Sequence, residues 1–280
     1  MIGIVGLGQM GGAMLRRLRA EGQGVQGFDL DPALREAARA AGAIACATPA
    51  GVAAPLVILS LPHAGAVGAV LAALLPHMPQ GAVIADTSTI EPGQARGFAA
   101  RCDAAGVAYL DTPVSGGPAG AAAGQLAIMV GGSAAALERA RPLLLLLAAR
   151  IVHVGESGAG QVAKLANNLL VATHLAAAAE ALRMADRAGV SPEAILPVIN
   201  AASGRSAATE VNWPRWISSG SFDSGFTAGL MRKDVRLALA LAEEVGAGLS
   251  VCGAAAAAWE GSDVPDVAEF NRVAAGIFGG

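Results

Sequence analysis

A lysine and an asparagine stand four residues apart in an otherwise apolar run, at Lys164 and Asn168. Residues with this spacing share one face of a helix. A helix start disfavours a positive charge, and an apolar cleft between two halves of the chain disfavours it further. We therefore expect a lowered pKa for Lys164, which could accept a proton from a substrate hydroxyl while Asn168 orients the substrate or the ammonium. The alternative is a structural lysine whose ammonium group reaches solvent.

A second candidate for chemistry is the turn Ser115-Gly116-Gly117. Its two glycines leave backbone N–H groups unobstructed, and the serine adds a hydroxyl. Such a nest of donors suits a carboxylate. A plain hairpin turn would have the same composition, and the spacing alone leaves both interpretations open.

A glycine-rich hexamer follows the first apolar run and precedes a helical pattern. This order, strand then G-x-G-x-x-G then helix, is typical of dinucleotide binding. The first glycine permits a tight turn, the second lets backbone N–H groups approach a pyrophosphate, and the third lets helix and strand pack closely. We expect the whole hexamer to contact the cofactor, namely Gly6, Leu7, Gly8, Gln9, Met10 and Gly11.

Asp29 ends the next predicted strand, 18 residues after Gly11. A carboxylate at this spacing bonds the adenosine ribose hydroxyls and repels a 2′-phosphate. The sequence therefore favours NAD, although Arg35 could swing back and NADP stays possible. The alternative is that Asp29 or Asp31 merely caps the helix predicted from Pro32 to Ala41.

Strand and helix patterns alternate up to about residue 160, and after it the pattern is almost wholly helical. We predict an α/β chain with an N-terminal doubly wound sheet of Rossmann type, followed by an all-helical C-terminal domain. The expected domains are 1–160, for the dinucleotide, and 161–280, for substrate and dimerisation. The later helices are expected at 133–148, 161–188, 193–201, 228–245 and 264–277. His63, in a loop after a predicted strand, is either a ligand contact or incidental.

Composition excludes several other classes of protein. The net charge is −3, with 54% hydrophobic and 15% charged residues, and no basic cluster suits nucleic acid or a membrane surface. Residues 40–85 lack Asp, Glu, Lys and Arg, but five prolines and five glycines divide them into pieces too short for a membrane span. Three cysteines without metal-ligand spacing and no basic segment before the first strand predict a cytoplasmic protein without a metal.

The sequence resembles the β-hydroxyacid dehydrogenase family, in particular its 3-hydroxyisobutyrate dehydrogenase group. The resemblance spans nearly the whole chain and depends on four motifs, at residues 6–12, 111–117, 158–168 and 229–234. It implies that Lys164 is the catalytic lysine, and that Ser115, Gly116, Gly117 and Asn168 hold the substrate. It also implies that Lys233 closes over the cofactor, that Leu61, Pro62 and Thr89 line its nicotinamide end, and that the helical domain is of the 6-phosphogluconate dehydrogenase type.

The expected activity is hydride transfer between NAD and a small 3-hydroxy acid, with Lys164 as general acid and base. The alternatives are an NADPH-dependent reductase of glyoxylate, tartronate semialdehyde or a similar aldehyde acid, and a non-catalytic module that keeps the fold. Thr112 departs from the alanine or glycine usual in the family. Arg205 falls where relatives vary with the substrate side chain, and it either binds a second acidic group or lies at the surface. We also expect a homodimer or homotetramer.

Overall fold

The computed structural model describes residues 1–280, which form two compact units, Met1–Lys164 and Leu165–Gly280. The first unit is built on one nine-stranded sheet. Its strands are β1 Ile2–Val5, β2 Val25–Phe28, β3 Ile44–Ala45, β4 Leu56–Leu59, β5 Val83–Asp86, β6 Ala108–Asp111, β7 Val114–Ser115, β8 Leu126–Gly131 and β9 Ala148–Gly155. Its helices are α1 Gln9–Ala20, α2 Pro32–Ala40, α3 Ala64–Leu74, α4 Pro92–Asp103, α5 Gly117–Ala123 and α6 Ala134–Leu144.

The sheet has the strand order β3-β2-β1-β4-β5-β6, and every pair in that series is parallel. This is the order of a doubly wound dinucleotide-binding sheet, and it confirms the predicted fold class. The order reverses between β1 and β4, so the loops that follow these strands flank the switch point where such sheets bind ligands. Beyond β6 the chain adds β8, which pairs antiparallel with β6 and β7 and parallel with β9.

Strands β1, β4 and β5 are buried along their whole length. Alternate residues of β4 face two different apolar clusters. Leu56 and Ile58 belong to the cluster on one face of the sheet, and Val57 and Leu59 belong to the cluster on the other. Both faces of the sheet are therefore covered, which favours strands that are apolar along most of their length. Strands β4 and β5, in and at the end of the stretch without charged residues, are therefore core of the first unit.

The second unit is helical, as predicted. Helix α7, Ala159–Arg187, begins in the first unit and continues into the second. The remaining helices are α8 Pro192–Ala201, a π-helix over Ala208–Ser218, α9 Ala228–Glu244, α10 Ser250–Glu260 and α11 Asn271–Gly279. Trp213 and Trp259 are fully buried in the apolar cluster that holds these helices together. None of the helices in either unit combines the length and apolar character that a membrane span requires.

Two of the predicted helices were placed wrongly. The predicted helix over 264–277 begins only at Asn271, because the preceding segment is tied to Arg232 of α9. The buried Arg232 guanidinium donates to the carbonyls of Trp259, Ser262 and Val264, and those carbonyl groups hold the chain in an irregular path. The guanidinium also pairs with a carboxylate of the same segment.

The helix predicted over 133–148 ends at Leu144, since the chain turns there and enters β9. Leucine and alanine fit a helix and a buried turn equally well, so propensity could not locate this end. Helices α3, α5 and α10 and the π-helix were not predicted. All are short, and three of them consist largely of glycine and alanine, whose uniform pattern gives no periodic signal.

Candidate active site

The glycine-rich hexamer forms the turn between β1 and α1. A Cβ atom at Gly11 would lie 1.8 Å from the carbonyl oxygen of Gly6, so the close packing of helix on turn requires glycine there. At Gly8 a Cβ atom would meet nothing within 4 Å, and no side chain caps the first N–H groups of α1. The loop thus offers an open surface and available N–H donors at a helix start, which fits the pyrophosphate of a dinucleotide.

Asp29 follows β2 and binds the same loop. Its carboxylate accepts hydrogen bonds from the backbone N–H of Leu7, at 2.7 Å, and of Asp31, at 2.9 Å. The helix cap is Asp31 instead, whose side chain accepts from the N–H of Ala33 at 2.8 Å. Arg35 lies beside Asp29, because its guanidinium donates to the carbonyl of Asp29 at 2.6 Å. The capping alternative therefore describes Asp31, while Asp29 stands at the glycine-rich loop.

The loops after β4 and β5 are joined by Ser88. Its hydroxyl oxygen accepts from the backbone N–H of Leu61 at 3.0 Å, so the two loops predicted to line the nicotinamide end lie side by side. Gln161 of α7 reaches the same place. Its side-chain amide donates to the carbonyl of Ser88 at 2.8 Å and accepts from the N–H of Ile90 at 3.1 Å. Both bonds are buried, and Thr89 lies between the two backbone groups that Gln161 holds.

A buried carboxyl group at the end of β5 holds the start of the loop that contains Ser88. Asp86, at the end of β5, accepts from the N–H of Ser88 at 2.9 Å and from the hydroxyl of Tyr109 at 2.7 Å. Complete burial raises the pKa of Asp86 to about 6, and the hydrogen bonds from Ser88 and Tyr109 offset part of that rise. The pKa of the Tyr109 hydroxyl is raised well above its ordinary value, by burial first and then by the charge of Asp86.

Asp111, at the end of β6, caps the helix that carries Lys164. Its two carboxylate oxygens accept from the backbone N–H groups of Gly158, at 2.7 Å, and Gln161, at 3.0 Å. Burial raises the pKa of Asp111, and these N–H bonds work against the rise. A Cβ atom at Gly160 would lie 2.6 Å from the carbonyl oxygens of both Asp111 and Met129, so the helix start rests directly on the strands.

Lys164 is buried, and its Nζ donates to the carbonyl oxygen of Val114 at 2.8 Å. The next residue after Val114 is Ser115, so the structure brings the candidate base and the candidate carboxylate nest together. Within the nest Gly116 has φ 123° and Gly117 has φ 64°. A helix, α5, separates β7 from its partner β8, so the turn is not a plain hairpin.

Thr112, the departure from the family pattern, is fully buried just before this turn. Its backbone N–H donates to the carbonyl of Asp86 at 2.7 Å, and its hydroxyl makes no hydrogen bond within the protein. An alanine would keep the backbone bond. The substitution therefore leaves the turn at Ser115 with the same hydrogen bonds that the usual small residue would give.

In the second unit two further candidate residues share one carboxylate. The side-chain amide of Asn168 donates to Asp234 Oδ2 at 2.6 Å, and Lys233 Nζ lies 3.2 Å from Asp234 Oδ1. Asp234 is buried, with 2% of its surface exposed. It links the predicted substrate residue on α7 with the predicted cofactor residue on α9.

Sequence reasoning missed several polar residues that organise the site. Asp86, Ser88 and Gln161 were assigned no role from the sequence, although Gln161 lies in the motif at residues 158–168, three residues before Lys164. The available signal in the sequence was an amide in the otherwise apolar start of a predicted helix. His63 is the N-cap of α3, with its ring nitrogen accepting from the N–H of Ala66 at 3.1 Å, which supports a structural role. No three His, Cys, Asp or Glu side chains come together as metal ligands.

Comparisons with known proteins cover both units. Residues 1–155 match the family model described as the NAD-binding domain of 6-phosphogluconate dehydrogenase. Residues 158–265 match the model described as NAD-binding of NADP-dependent 3-hydroxyisobutyrate dehydrogenase. Together the two matches account for nearly all of the chain.

Three similar proteins illustrate the range of relatives. The 2-(hydroxymethyl)glutarate dehydrogenase of Eubacterium barkeri is 40% identical over 265 residues, covering 93% of this chain and 88% of the relative. The NAD-dependent L-serine dehydrogenase of Pseudomonas aeruginosa is 40% identical over 248 residues, covering 85% and 83%. The solved structure of Mycobacterium tuberculosis 3-hydroxyisobutyrate dehydrogenase with L-serine superposes with a TM-score of 0.91 at 36% identity, covering 98% and 97%.

The doubly wound sheet, the open glycine-rich loop and the matched models define an NAD-dependent oxidoreductase. Within that class the chain belongs to the β-hydroxyacid dehydrogenase family, in its 3-hydroxyisobutyrate dehydrogenase group. It transfers hydride between NAD and a small 3-hydroxy acid, and the relatives support this activity over an NADPH-dependent reductase of aldehyde acids. NADP-dependent relatives occur in the same family.

The raised pKa of Asp86 predicts a particular pH dependence of stability. The folded protein holds the Asp86 proton more tightly than the unfolded chain, with a pKa of about 6 against an ordinary 3.8. The stabilising contribution of Asp86 to the free energy of unfolding is therefore fully present below about pH 4, and it is lost as the pH rises through 6. We expect Asp86→Asn to gain stability relative to the wild type as the pH rises from 4 to 6.

Urea unfolding of both proteins at several pH values measures this difference. Asp103→Asn, which removes an exposed carboxylate of α4, gives the baseline for the loss of one negative charge. A stability difference between Asp86→Asn and wild type that stays constant over this pH range, or that moves the other way, would contradict the assignment.

Proposed function

We propose that the protein oxidises the hydroxyl group of a small 3-hydroxy acid with Lys164 as the proton acceptor. The observation that carries this proposal is the 2.8 Å hydrogen bond from Lys164 Nζ to the carbonyl of Val114. It holds a buried amine beside the Ser115 turn, where a substrate carboxylate has backbone donors. A lysine that merely reached solvent would not be buried with its ammonium on a backbone carbonyl.

The substrate carboxylate is proposed to lie on Ser115, Gly116 and Gly117. The two glycines have positive φ angles and no side chains to cover their N–H groups, and Gly116 is exposed. The Ser115 hydroxyl adds a further donor. Asn168 is proposed to bind the substrate hydroxyl through its amide, which Asp234 holds in place at 2.6 Å.

For the cofactor we propose the residues that the sequence singled out. The hexamer Gly6, Leu7, Gly8, Gln9, Met10 and Gly11 takes the pyrophosphate, and Asp29 takes the adenosine ribose. Leu61, Pro62 and Thr89 line the nicotinamide end, and Lys233 closes over the cofactor. NAD, when bound, supplies the acceptor for hydride.

In the proposed reaction the hydroxyl proton passes to the neutral Lys164 amine, and the carbon that bears the hydroxyl gives up a hydride. The C–H and O–H bonds break, a C=O bond forms, and the product is a semialdehyde acid. The Lys164 ammonium then releases its proton to water. The reverse reaction requires the charged form of Lys164 as the acid.

The relatives narrow the proposed substrate class. 3-Hydroxyisobutyrate, L-serine and 2-(hydroxymethyl)glutarate, after which these relatives are named, all carry a hydroxymethyl group on the carbon next to the carboxylate. They differ only in the third substituent, which is a methyl, an amino or a carboxyethyl group. We propose a substrate of this type, with Arg205 as the binding group when the third substituent is acidic.

The same proposal extends to the organisation of the protein. We assign the dinucleotide to residues 1–160, and self-association and part of substrate binding, through Lys164 and Asn168, to residues 161–280. Several large apolar side chains of the helical unit are exposed, among them Met184 at 71% and Val251 at 72%, which favours a homodimer or homotetramer. All three cysteines are free, which suits a reducing compartment such as the cytoplasm.

Replacing Lys164 with alanine is expected to lower kcat by about 10²- to 10⁴-fold, the usual contribution of a general acid or base. The Kd for NADH, measured by its fluorescence, should stay within about twofold of the wild-type value. Lys233→Ala is the matched variant, because Lys164 and Lys233 are the only lysines in the sequence. It should raise the Kd for NADH instead. Turnover near the wild-type rate in Lys164→Ala would overturn the mechanism.

A substrate panel followed by NADH absorbance tests the substrate class. We expect turnover of 3-hydroxyisobutyrate, serine, 3-hydroxypropionate or 2-(hydroxymethyl)glutarate to exceed that of threonine and threonate, whose 3-hydroxyl groups are secondary. Arg205→Met should lower kcat/KM for 2-(hydroxymethyl)glutarate at least about tenfold and leave 3-hydroxyisobutyrate unchanged. An equal loss on both acids would contradict a role for Arg205 in binding a second carboxylate.

Cofactor choice is expected to depend on Asp29. Asp29→Asn removes the negative charge that repels a 2′-phosphate, while Arg35 stays beside the site. The ratio of kcat/KM with NADP to that with NAD should rise about tenfold or more, equivalent to about 1.4 kcal/mol. Asp31→Asn, which changes the neighbouring helix cap, serves as control. Equal ratios for the two variants would rule out Asp29 as the determinant.

A further inference from the structure

The Gln161 side chain acts as a clamp on the loop after β5. Its amide donates to the carbonyl of Ser88 at 2.8 Å and accepts from the N–H of Ile90 at 3.1 Å. These are the two backbone groups on either side of Thr89, so a single side chain fixes the path of the loop through that residue. Gln161 is completely buried, and water does not compete for either bond.

The loop held in this way is also tied to the loop after β4. The hydroxyl oxygen of Ser88 accepts from the N–H of Leu61 at 3.0 Å, and the N–H of Ser88 donates to Asp86 at 2.9 Å. Leu61 and Thr89, both proposed at the nicotinamide end, therefore move with the peptide that Gln161 holds. The bonds form one connected set from β4 to α7.

The other end of this set is the helix of the proposed base. Gln161 and Lys164 stand three residues apart in α7, on neighbouring positions of one helix face. The start of the helix is fixed on the sheet by Asp111, which accepts the backbone N–H of Gln161 at 3.0 Å. A displacement of the helix start would thus shift Lys164 and the loop at Thr89 together.

We infer that Gln161 is a positioning residue that sets the distance between the nicotinamide-binding loop and the Lys164 amine. This inference depends on the proposed roles of Lys164 and Thr89. The proton leaves the substrate hydroxyl group and the hydride leaves the carbon that bears it. The Lys164 amine and the nicotinamide must therefore keep a fixed distance from each other and from the substrate. A misplacement of about 1 Å costs on the order of a hundredfold in rate.

The chemistry of the clamp explains why an amide stands at this position. The loop presents one acceptor and one donor, the Ser88 carbonyl and the Ile90 N–H, and a neutral amide supplies a donor and an acceptor at fixed separation. A carboxylate would accept from Ile90 but repel the Ser88 carbonyl. A protonated carboxyl group would again offer both a donor and an acceptor.

Two variants test the inference, Gln161→Met and Gln161→Glu, with Gln26→Met as control. Gln26 of β2 also donates a side-chain hydrogen bond to a backbone carbonyl, that of Ala53 at 3.0 Å, but far along the sheet from the loop after β5. In Gln161→Met we expect kcat to fall about ten- to a hundredfold, with KM for the hydroxy acid within about threefold of wild type. The control should keep both values.

The pH profile separates positioning from mere stability. In Gln161→Glu the rate relative to wild type should recover as the pH falls, because protonation restores the donor to the Ser88 carbonyl. Gln161→Met should show no such recovery. Rate losses in Gln161→Met that the control reproduces, or a Gln161→Glu to wild-type ratio independent of pH, would overturn the inference.

Hydrogen exchange of the cofactor-free protein gives a readout that needs no activity. The Ile90 amide should exchange at least about tenfold faster in Gln161→Met than in wild type, and the control should not change it. If wild type turned over no hydroxy acid, the proposed function would fail while this exchange result still tested the clamp. Active wild type with unchanged Ile90 exchange in Gln161→Met would overturn the clamp alone.

Discussion

The site depends on one buried carboxylate at the start of one helix. Asp111 accepts hydrogen bonds from the backbone N–H of Gly158, just before α7, and of Gln161 in its first turn. The helix start lies so close to the strands that Gly160 admits no side chain. A carboxylate in this position complements the positive end of the helix. Because β6 lies inside the sheet, between β5 and β8, this contact transfers the rigidity of the sheet to the first turns of α7, and so to Lys164.

Buried polar groups are costly unless they are fully paired, and this protein concentrates them where alignment matters. Asp86, Ser88 and Gln161 lie in the otherwise apolar interior of the first unit and satisfy each other and the backbone around them. The raised pKa of Asp86 shows that the arrangement is not optimal for its charge. We therefore attribute the presence of Asp86, Ser88 and Gln161 to the positions in which they hold the loops after β4 and β5, and not to stability alone.

Local patterns in the sequence predicted the local parts of the site. The glycine-rich loop, Asp29 and the run around Lys164 each depend on short-range spacing, and the doubly wound sheet followed from the alternation of strand and helix. Gln161 escaped prediction because its partners lie 71 and 73 residues away. The helix expected over 264–277 failed for a similar reason, since Arg232, distant in sequence, binds the carbonyl of Val264, which the first bond of that helix would have used.

The division of the chain between Lys164 and Leu165 has a consequence for how such enzymes diversify. The cofactor loop, the carboxylate turn and the proposed base all belong to the first unit. Asn168 and Arg205 belong to the second. Under the roles proposed above, a substitution at Arg205 in the helical unit would change which third substituent is accepted, while the proposed base and the turn at Ser115 in the first unit stay unchanged. The related dehydrogenases named for serine, 3-hydroxyisobutyrate and 2-(hydroxymethyl)glutarate differ in this third substituent, as expected if it is recognised by the helical unit.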